Sequence, residues 1–184
     1  MFPTETLNFW LALGAVILQG VTVGLFVLYF LRARPVLSGI VGILNTWGFQ
    51  IALAASLAAF ALTLFYSEII GFPPCPLCWW QRVFLYPQVV IFALALFRGQ
   101  KSIAEYSIIL SLIGFGIAIY HHALQILPAG SLPCPAEGEV SCAQRFVFEF
   151  GYITLPLMAA TVFAFLIALM LFAREKDKMI FLSR

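Results

Sequence analysis

The chain has 184 residues, of which 63% are hydrophobic and 10% charged, and its mean hydropathy is +1.03. Soluble domains average about 45–50% apolar and about 25% charged residues, so a water-soluble globule is excluded and an integral membrane protein is expected. A net charge of +2 offers no footprint for nucleic acid, whose binding needs a concentrated basic surface.

Residues 1–8 lack Lys and Arg, and residues 9–31 form an apolar run followed by Arg32 and Arg34. The run is long enough for a hydrocarbon core that needs about 20 helical residues. A cleaved signal peptide carries its positive charge before a shorter apolar core. The reversed order here predicts a retained span with its N-terminus outside. Residues 35–46 are apolar but contain Pro35, Gly39 and Gly42, which predicts an interfacial lead-in to a second span over 47–66. A proline-rich loop comes next. A third span covers 79–97 and closes at Arg98, Gly99 and Lys101; a fourth covers 103–126. A second loop, 127–148, precedes a fifth span over 150–172 and a charged tail, 174–184. The expected class is an all-α integral membrane protein.

Basic residues assign the sides. Arg32, Arg34, Arg98, Lys101, Arg174, Lys176, Lys178 and Arg184 fall on one side, and Arg82 and Arg145 on the other, which accounts for all 10 Lys and Arg. Positive residues favour the cytoplasm, so the C-terminus is expected inside and both interspan loops outside. All 4 cysteines lie in those two loops. Disulfides persist outside and are reduced inside, so the cysteines point to the same topology independently. Four cysteines allow three pairings, and spacing alone does not choose among them.

The first loop runs Pro73-Pro74-Cys75-Pro76-Leu77-Cys78-Trp79-Trp80-Gln81-Arg82. Its prolines oppose a helix through Cys75, which predicts a helix starting near Cys78. The unpaired N–H groups and dipole at such a start favour a thiolate, and Arg82, one turn on, adds positive charge. A structural bridge is the alternative, but a loop this small restrains the unfolded chain weakly. Cys-x-x-Cys is also a redox spacing.

Cys134 and Cys142 flank a polar stretch and read either as a loop staple or as an exposed exchangeable dithiol. Arg82 reads either as a snorkelling anchor or as a partner of Cys78. On the fourth span, Ser111, Gly114, Ala118, His122 and Gln125 recur at steps of three and four. This predicts a close helix contact with His122 facing inward and His121 about 100° away. His122 is then either a packed polar residue or part of an outer-leaflet pocket. Trp47, Trp79, Trp80 and Tyr152 suit an interfacial belt. A four-cysteine zinc site is disfavoured by the wide second spacing and an oxidising exterior, so no metal is expected.

Cys75-Pro-Leu-Cys78-Trp-Trp-Gln-Arg82, Tyr120-His121-His122, Ser141-Cys142-Ala143 and Phe150-Gly-Tyr-Ile-Thr-Leu-Pro156 together carry a resemblance. The chain resembles the DsbB family of membrane proteins that generate disulfides and pass electrons to quinone, and most of all its BdbC-like branch. The resemblance implies a four-helix transmembrane bundle over residues 47–173, an extra N-terminal helix with its connection over 1–46, and a cytoplasmic tail over 174–184. It implies the bacterial cytoplasmic membrane, with both redox loops extracytoplasmic. It further implies that Cys134 accepts attack from a DsbA-like thioredoxin-fold partner, that Cys142 is its pair, and that Cys142 exchanges with Cys75. Cys78 would face ubiquinone or menaquinone, with Arg82 and His122 at quinone-binding positions. The chain departs from the better-known pattern in its extra first span, in a shorter Cys134–Cys142 spacing, and in Gln81, where some relatives carry an acid. A vitamin K epoxide reductase-type enzyme would place its loop pair before its Cys-x-x-Cys, the reverse of the order here. The non-enzymatic alternative is a membrane protein braced by two loop disulfides.

Overall fold

The computed structural model describes residues 4–128, 131–134 and 140–174. Among these residues the apolar runs form five helices: α1 (Thr4–Leu31), α2 (Ser38–Leu64), α3 (Pro76–Arg98), α4 (Ile103–Ile126) and α5 (Leu155–Ala173). All five, α2 counted with its flanking turns, are long and apolar enough to cross a membrane. In hydrocarbon a helix satisfies its backbone groups within the segment, which is why such runs adopt this form. A small antiparallel hairpin, β1 (Phe148–Glu149) and β2 (Ile153–Thr154), precedes α5.

Four boundaries differ from the sequence reading, the first being that α1 starts at Thr4 rather than at 9. The expected lead-in over 35–46 is helical: a 3-10 turn at Pro35–Leu37 runs into α2. Pro35 sits in that first turn, where its missing N–H costs nothing. Gly39 and Gly42 lower helix propensity by about 1 kcal/mol each, which the apolar medium overrides by requiring internal hydrogen bonds. The fifth span begins at Leu155 rather than 150, because residues 148–154 form the hairpin. Its turn uses positive φ at Phe150 (52°) and Gly151 (76°), and Thr154 then caps α5 by accepting the Leu157 N–H at 3.3 Å. The third span begins at Pro76, a shift with chemical consequences described below. The expected tail beyond Arg174, with Lys176, Lys178 and Arg184, and loop residues 135–139 lie outside the described residues.

α5 is the central helix. It packs against α1, α2 and α4, and Phe163, Leu166, Leu169, Met170 and Phe172 are almost fully buried. A helix apolar all round suits such an interior position. Lipid is as apolar as these side chains, so close packing and polar contacts hold the bundle rather than hydrophobic exclusion. Gly114 on α4 shows this directly, since a Cβ there would collide with the Phe163 ring. Between α3 and α4, the Gln88 side chain is fully buried. It donates to Ser111 Oγ at 3.0 Å and accepts from Ser107 Oγ at 2.7 Å.

The extra helix α1 docks on α5 through small and polar residues. Asn8, Ala12, Ala15, Thr22 and Leu25 are buried. Gln19 Nε2 donates to Thr161 Oγ1 at 3.2 Å, and Tyr152 donates to Gln19 Oε1 at 3.3 Å. Tyr66 donates to Asn8 Oδ1 at 2.5 Å. These contacts tie α1 to the end of the bundle where α2 ends and α3 begins.

Candidate functional site

The site forms where α3 starts. Cys75 is the N-cap of α3 and Pro76 is its first residue. The helix therefore starts two residues earlier than expected near Cys78. Proline suits the first helical position because its absent N–H would have no intrahelical partner. Cys75 Sγ takes the role a Ser oxygen often plays at a cap, accepting the Cys78 backbone N–H at 3.3 Å. The positive end of the α3 dipole thus acts on Cys75 at closest range.

Cys75 and Cys78 are free thiols with their sulfurs 2.9 Å apart. The hydrogen bond from the Cys78 side chain, reinforced by His121 and opposed by burial, lowers the Cys75 thiol to about 4. At neutral pH Cys75 is a thiolate. This corrects the expectation that the helix start would acidify Cys78, and the reason is the position of the cap.

His121, not His122, faces the sulfurs. Its side chain is 1% exposed. Nε2 lies 3.6 Å from Cys75 Sγ and 3.1 Å from the Cys142 carbonyl oxygen. Gln81 Nε2 donates to Nδ1 at 2.9 Å, which fixes the tautomer that carries its proton on Nε2. That N–H is donated to the Cys142 carbonyl and directed at the Cys75 sulfur. His122 is engaged elsewhere, with Nδ1 2.8 Å from Thr154 Oγ1 at the α5 cap. Steps of three and four from Ala118 admit either histidine. At about 100° per residue the two lie on either side of the stripe's centre and almost equally far from it, so nothing in the sequence chooses His121; Gln125 shares the stripe's face.

Cys134 and Cys142 form a disulfide. Its two ends differ in surroundings: Cys134 is exposed, whereas Cys142 is 1% exposed and packs in one cluster with Cys75, Leu77 and Leu124. The structure therefore brings Cys142, Cys75, Cys78 and His121 together. Arg82, one turn beyond Cys78, is 8% exposed. It donates to the Thr63 carbonyl at 2.9 Å, and its guanidinium lies 5.0 Å from the Trp79 ring centre. Thr63 leads into a π-helical turn, Phe65–Ile69, at the end of α2. Chemically, the arrangement offers a buried thiolate in one cluster with a disulfide-bonded cysteine, and a second, half-buried thiol one turn from a cation.

Comparisons with known proteins agree with one another. The family described as "Disulfide bond formation protein DsbB" matches residues 45–173. A probable disulfide formation protein C of Halalkalibacterium halodurans is 38% identical over 122 residues, 66% of this chain and 89% of that protein. The SPbeta prophage-derived disulfide bond formation protein B of Bacillus subtilis is 45% identical over 102 residues, 55% of this chain and 68% of that protein. A probable disulfide formation protein of Chlamydia trachomatis is 40% identical over 114 residues, 62% of this chain and 82% of that protein. No solved structure gives a significant match.

Proposed function

The chain belongs to the DsbB family and is a disulfide-generating thiol oxidoreductase of the membrane, and from that premise we propose that its two cysteine pairs form a relay from a DsbA-like thioredoxin-fold dithiol to quinone. The observation that carries this reading is the shared burial of Cys142 and Cys75, with the exposed Cys134 at the far end of the disulfide. A partner thiolate reaches Cys134 from solvent, breaks the Cys134–Cys142 bond and releases Cys142 as a thiolate. The second partner sulfur then resolves the mixed disulfide, so the partner is oxidised and the loop pair reduced. Cys142 next attacks Cys75 in an oxidised Cys75–Cys78 pair, and Cys134 resolves that bond, leaving Cys75 and Cys78 reduced. His121 assists because its Nε2–H lies against both the Cys75 sulfur and the Cys142 carbonyl, stabilising Cys75 as leaving thiolate.

Quinone, when bound, takes up two electrons and two protons and returns Cys75–Cys78 to the disulfide. Cys78, Arg82 and Trp79 fit it. The thiol is half-buried, and a guanidinium has five donors for a developing oxyanion, of which one is donated to Thr63. The cavity of about 30 Å³ beside Cys75, Cys78 and His121 has room for water rather than a ring, so the ring is assigned to the exposed Trp79, beneath which the buried Arg82 guanidinium lies. Arg32, Arg34, Arg98, Lys101 and Arg174 lie at the helix ends opposite the cysteines, which supports an extracytoplasmic site in the bacterial cytoplasmic membrane. Residues 47–173 form the redox bundle in this reading, 1–46 an added helix with its connection, and 174–184 a cytoplasmic tail.

The test is quinone reduction by the purified chain with a reduced thioredoxin-fold partner. Wild type is expected to turn over and Cys78→Ser to fall to background with its helical spectrum intact. Equal rates in the two proteins would refute the relay.

A further inference from the structure

Beside its thiol chemistry, the reduced site has the donor set of a metal centre. Cys75 Sγ, Cys78 Sγ and one His121 ring nitrogen all lie within 4.8 Å of one another. A tetrahedral Zn²⁺ with bonds of about 2.3 Å to sulfur and about 2.0 Å to nitrogen places such donors roughly 3.5–3.8 Å apart. Cys75 Sγ and His121 Nε2, at 3.6 Å, already satisfy this, whereas the two sulfurs, at 2.9 Å, part by roughly 0.9 Å on binding. Two cysteines at a spacing of three are a common half-site for zinc, and a rigid helix, α4, supplies the third ligand.

Two further observations point to a ligand here. The cavity of about 30 Å³ that Cys75, Cys78 and His121 line is also lined by Gln125. Gln125 is 6% exposed, yet its Oε1 is buried and meets no hydrogen-bond partner among the described residues. A buried amide oxygen without a donor is costly, and a metal-bound water in this cavity would supply one. Second, the imidazole has an outer-shell partner in place: Gln81 lies 2.9 Å from Nδ1. Turning its amide end for end converts it into the acceptor that a zinc-bound histidine needs for its other N–H. The exposed Ser141 and Gln144 line the same cavity.

We propose that the reduced chain binds one Zn²⁺ through Cys75, Cys78 and His121, with a water held by Gln125 in the fourth position, and that this holds the pair reduced and blocks disulfide exchange. No electron moves: Cys75 binds as the thiolate it already is, the ion displaces the Cys78 thiol proton, and the His121 proton passes from Nε2 to Nδ1, where the turned Gln81 accepts it. Once Cys75 and Cys78 form a disulfide the thiolate ligands are gone, so oxidation and zinc exclude each other. The proposal needs only reducible cysteines and stands apart from the quinone reading, since binding is measured without turnover.

The experiment uses the full chain in detergent with Cys134→Ser and Cys142→Ser, leaving one thiol pair, titrated with Zn²⁺ against a chromophoric chelator and with Cd²⁺ for its thiolate charge-transfer absorption. One ion per reduced chain and none per oxidised chain are expected. His121→Ala should weaken binding at least tenfold. His121→Cys should restore it and raise the cadmium absorption by about half, because three thiolates replace two. Equal affinity of the reduced and oxidised chains, or of His121→Ala and its parent, would overturn the proposal. So would no binding by a reduced chain that titrates two thiols and keeps its helical spectrum.

Discussion

His121 Nε2 lies 3.6 Å from Cys75 Sγ and 3.1 Å from the Cys142 carbonyl oxygen, so one buried imidazole touches both cysteine pairs. With the Cys78 thiol it holds Cys75 at about 4. Alkylation of Cys75 should therefore be nearly flat from pH 5 to 8 and fall below pH 4, since only the thiolate reacts. Cys78→Ala, which removes the larger cause, should move this limb further up than His121→Ala does. A variant titrating at about 7 loses roughly tenfold in rate at pH 6. Mass-spectrometric alkylation rates measure this, and a wild-type limb near pH 8.5 would contradict the assignment.

The same thiolate sets the proton count of the redox couple. A thiolate stabilised in the reduced fold makes the disulfide more oxidising than an ordinary pair. The folded thiol titrates at about 4 against about 8.5 unfolded. Its stabilising effect is therefore complete above about 8.5 and is lost as the pH falls through about 4. Within that window reduction of Cys75–Cys78 consumes one proton per two electrons. The midpoint potential should change by about 30 mV per pH unit rather than about 59 mV. Equilibration with glutathione buffers between pH 5 and 7.5 gives the slope. The steeper value would mean that both sulfurs are thiols.

Burial predicts which sulfurs exchange. Cys142 shares a buried cluster with Cys75, whereas Cys134 is exposed. In Cys78→Ser, the Cys75 thiolate should attack Cys142 and expel Cys134, leaving a Cys75–Cys142 bond and an alkylatable Cys134. Non-reducing peptide mapping distinguishes this from an unchanged Cys134–Cys142 bridge with Cys75 open to alkylation. The unchanged bridge would rule out direct transfer between the pairs.

Much of this architecture was legible in the sequence, because bilayer thickness and the internal demand for hydrogen bonds dictate span length and form. The site was legible in part. Cys-x-x-Cys and the small stripe on α4 announced a thiol site beside a close helix contact. The choice between adjacent histidines depends on a helix rotation that only the Gly114–Phe163 contact and the Gln81 bond to His121 fix. The start of α3 was misread because three prolines look like a barrier, while Pro76 is an ordinary first helical residue. The hairpin at 148–154 left no pattern, since each strand has two residues and Phe150 adopts the left-handed conformation against its propensity. The docking face of α1 was written at steps of four and three in Asn8, Ala12, Ala15, Gln19 and Thr22, but was masked by a helix apolar on every side.

Two glycines of α4 provide a matched test of the packing. At Gly114 a Cβ would come within 2.4 Å of the Phe163 ring, whereas at Gly116 nothing lies within 4 Å. Both are helical, so replacing either by Ala gains up to about 1 kcal/mol of propensity. At Gly114 that gain is outweighed, because Phe163 is 1% exposed and has little space to retreat; overpacking of this kind costs about 1–3 kcal/mol. Gly114→Ala should lower the thermal midpoint of the detergent-solubilised chain, and Gly116→Ala should leave it unchanged or raise it slightly. The α4–α5 contact also positions His121, at the outer end of α4, so Gly114→Ala should slow thiol exchange as well. A Gly114→Ala protein as stable as wild type would mean that the two helices do not approach as closely as described.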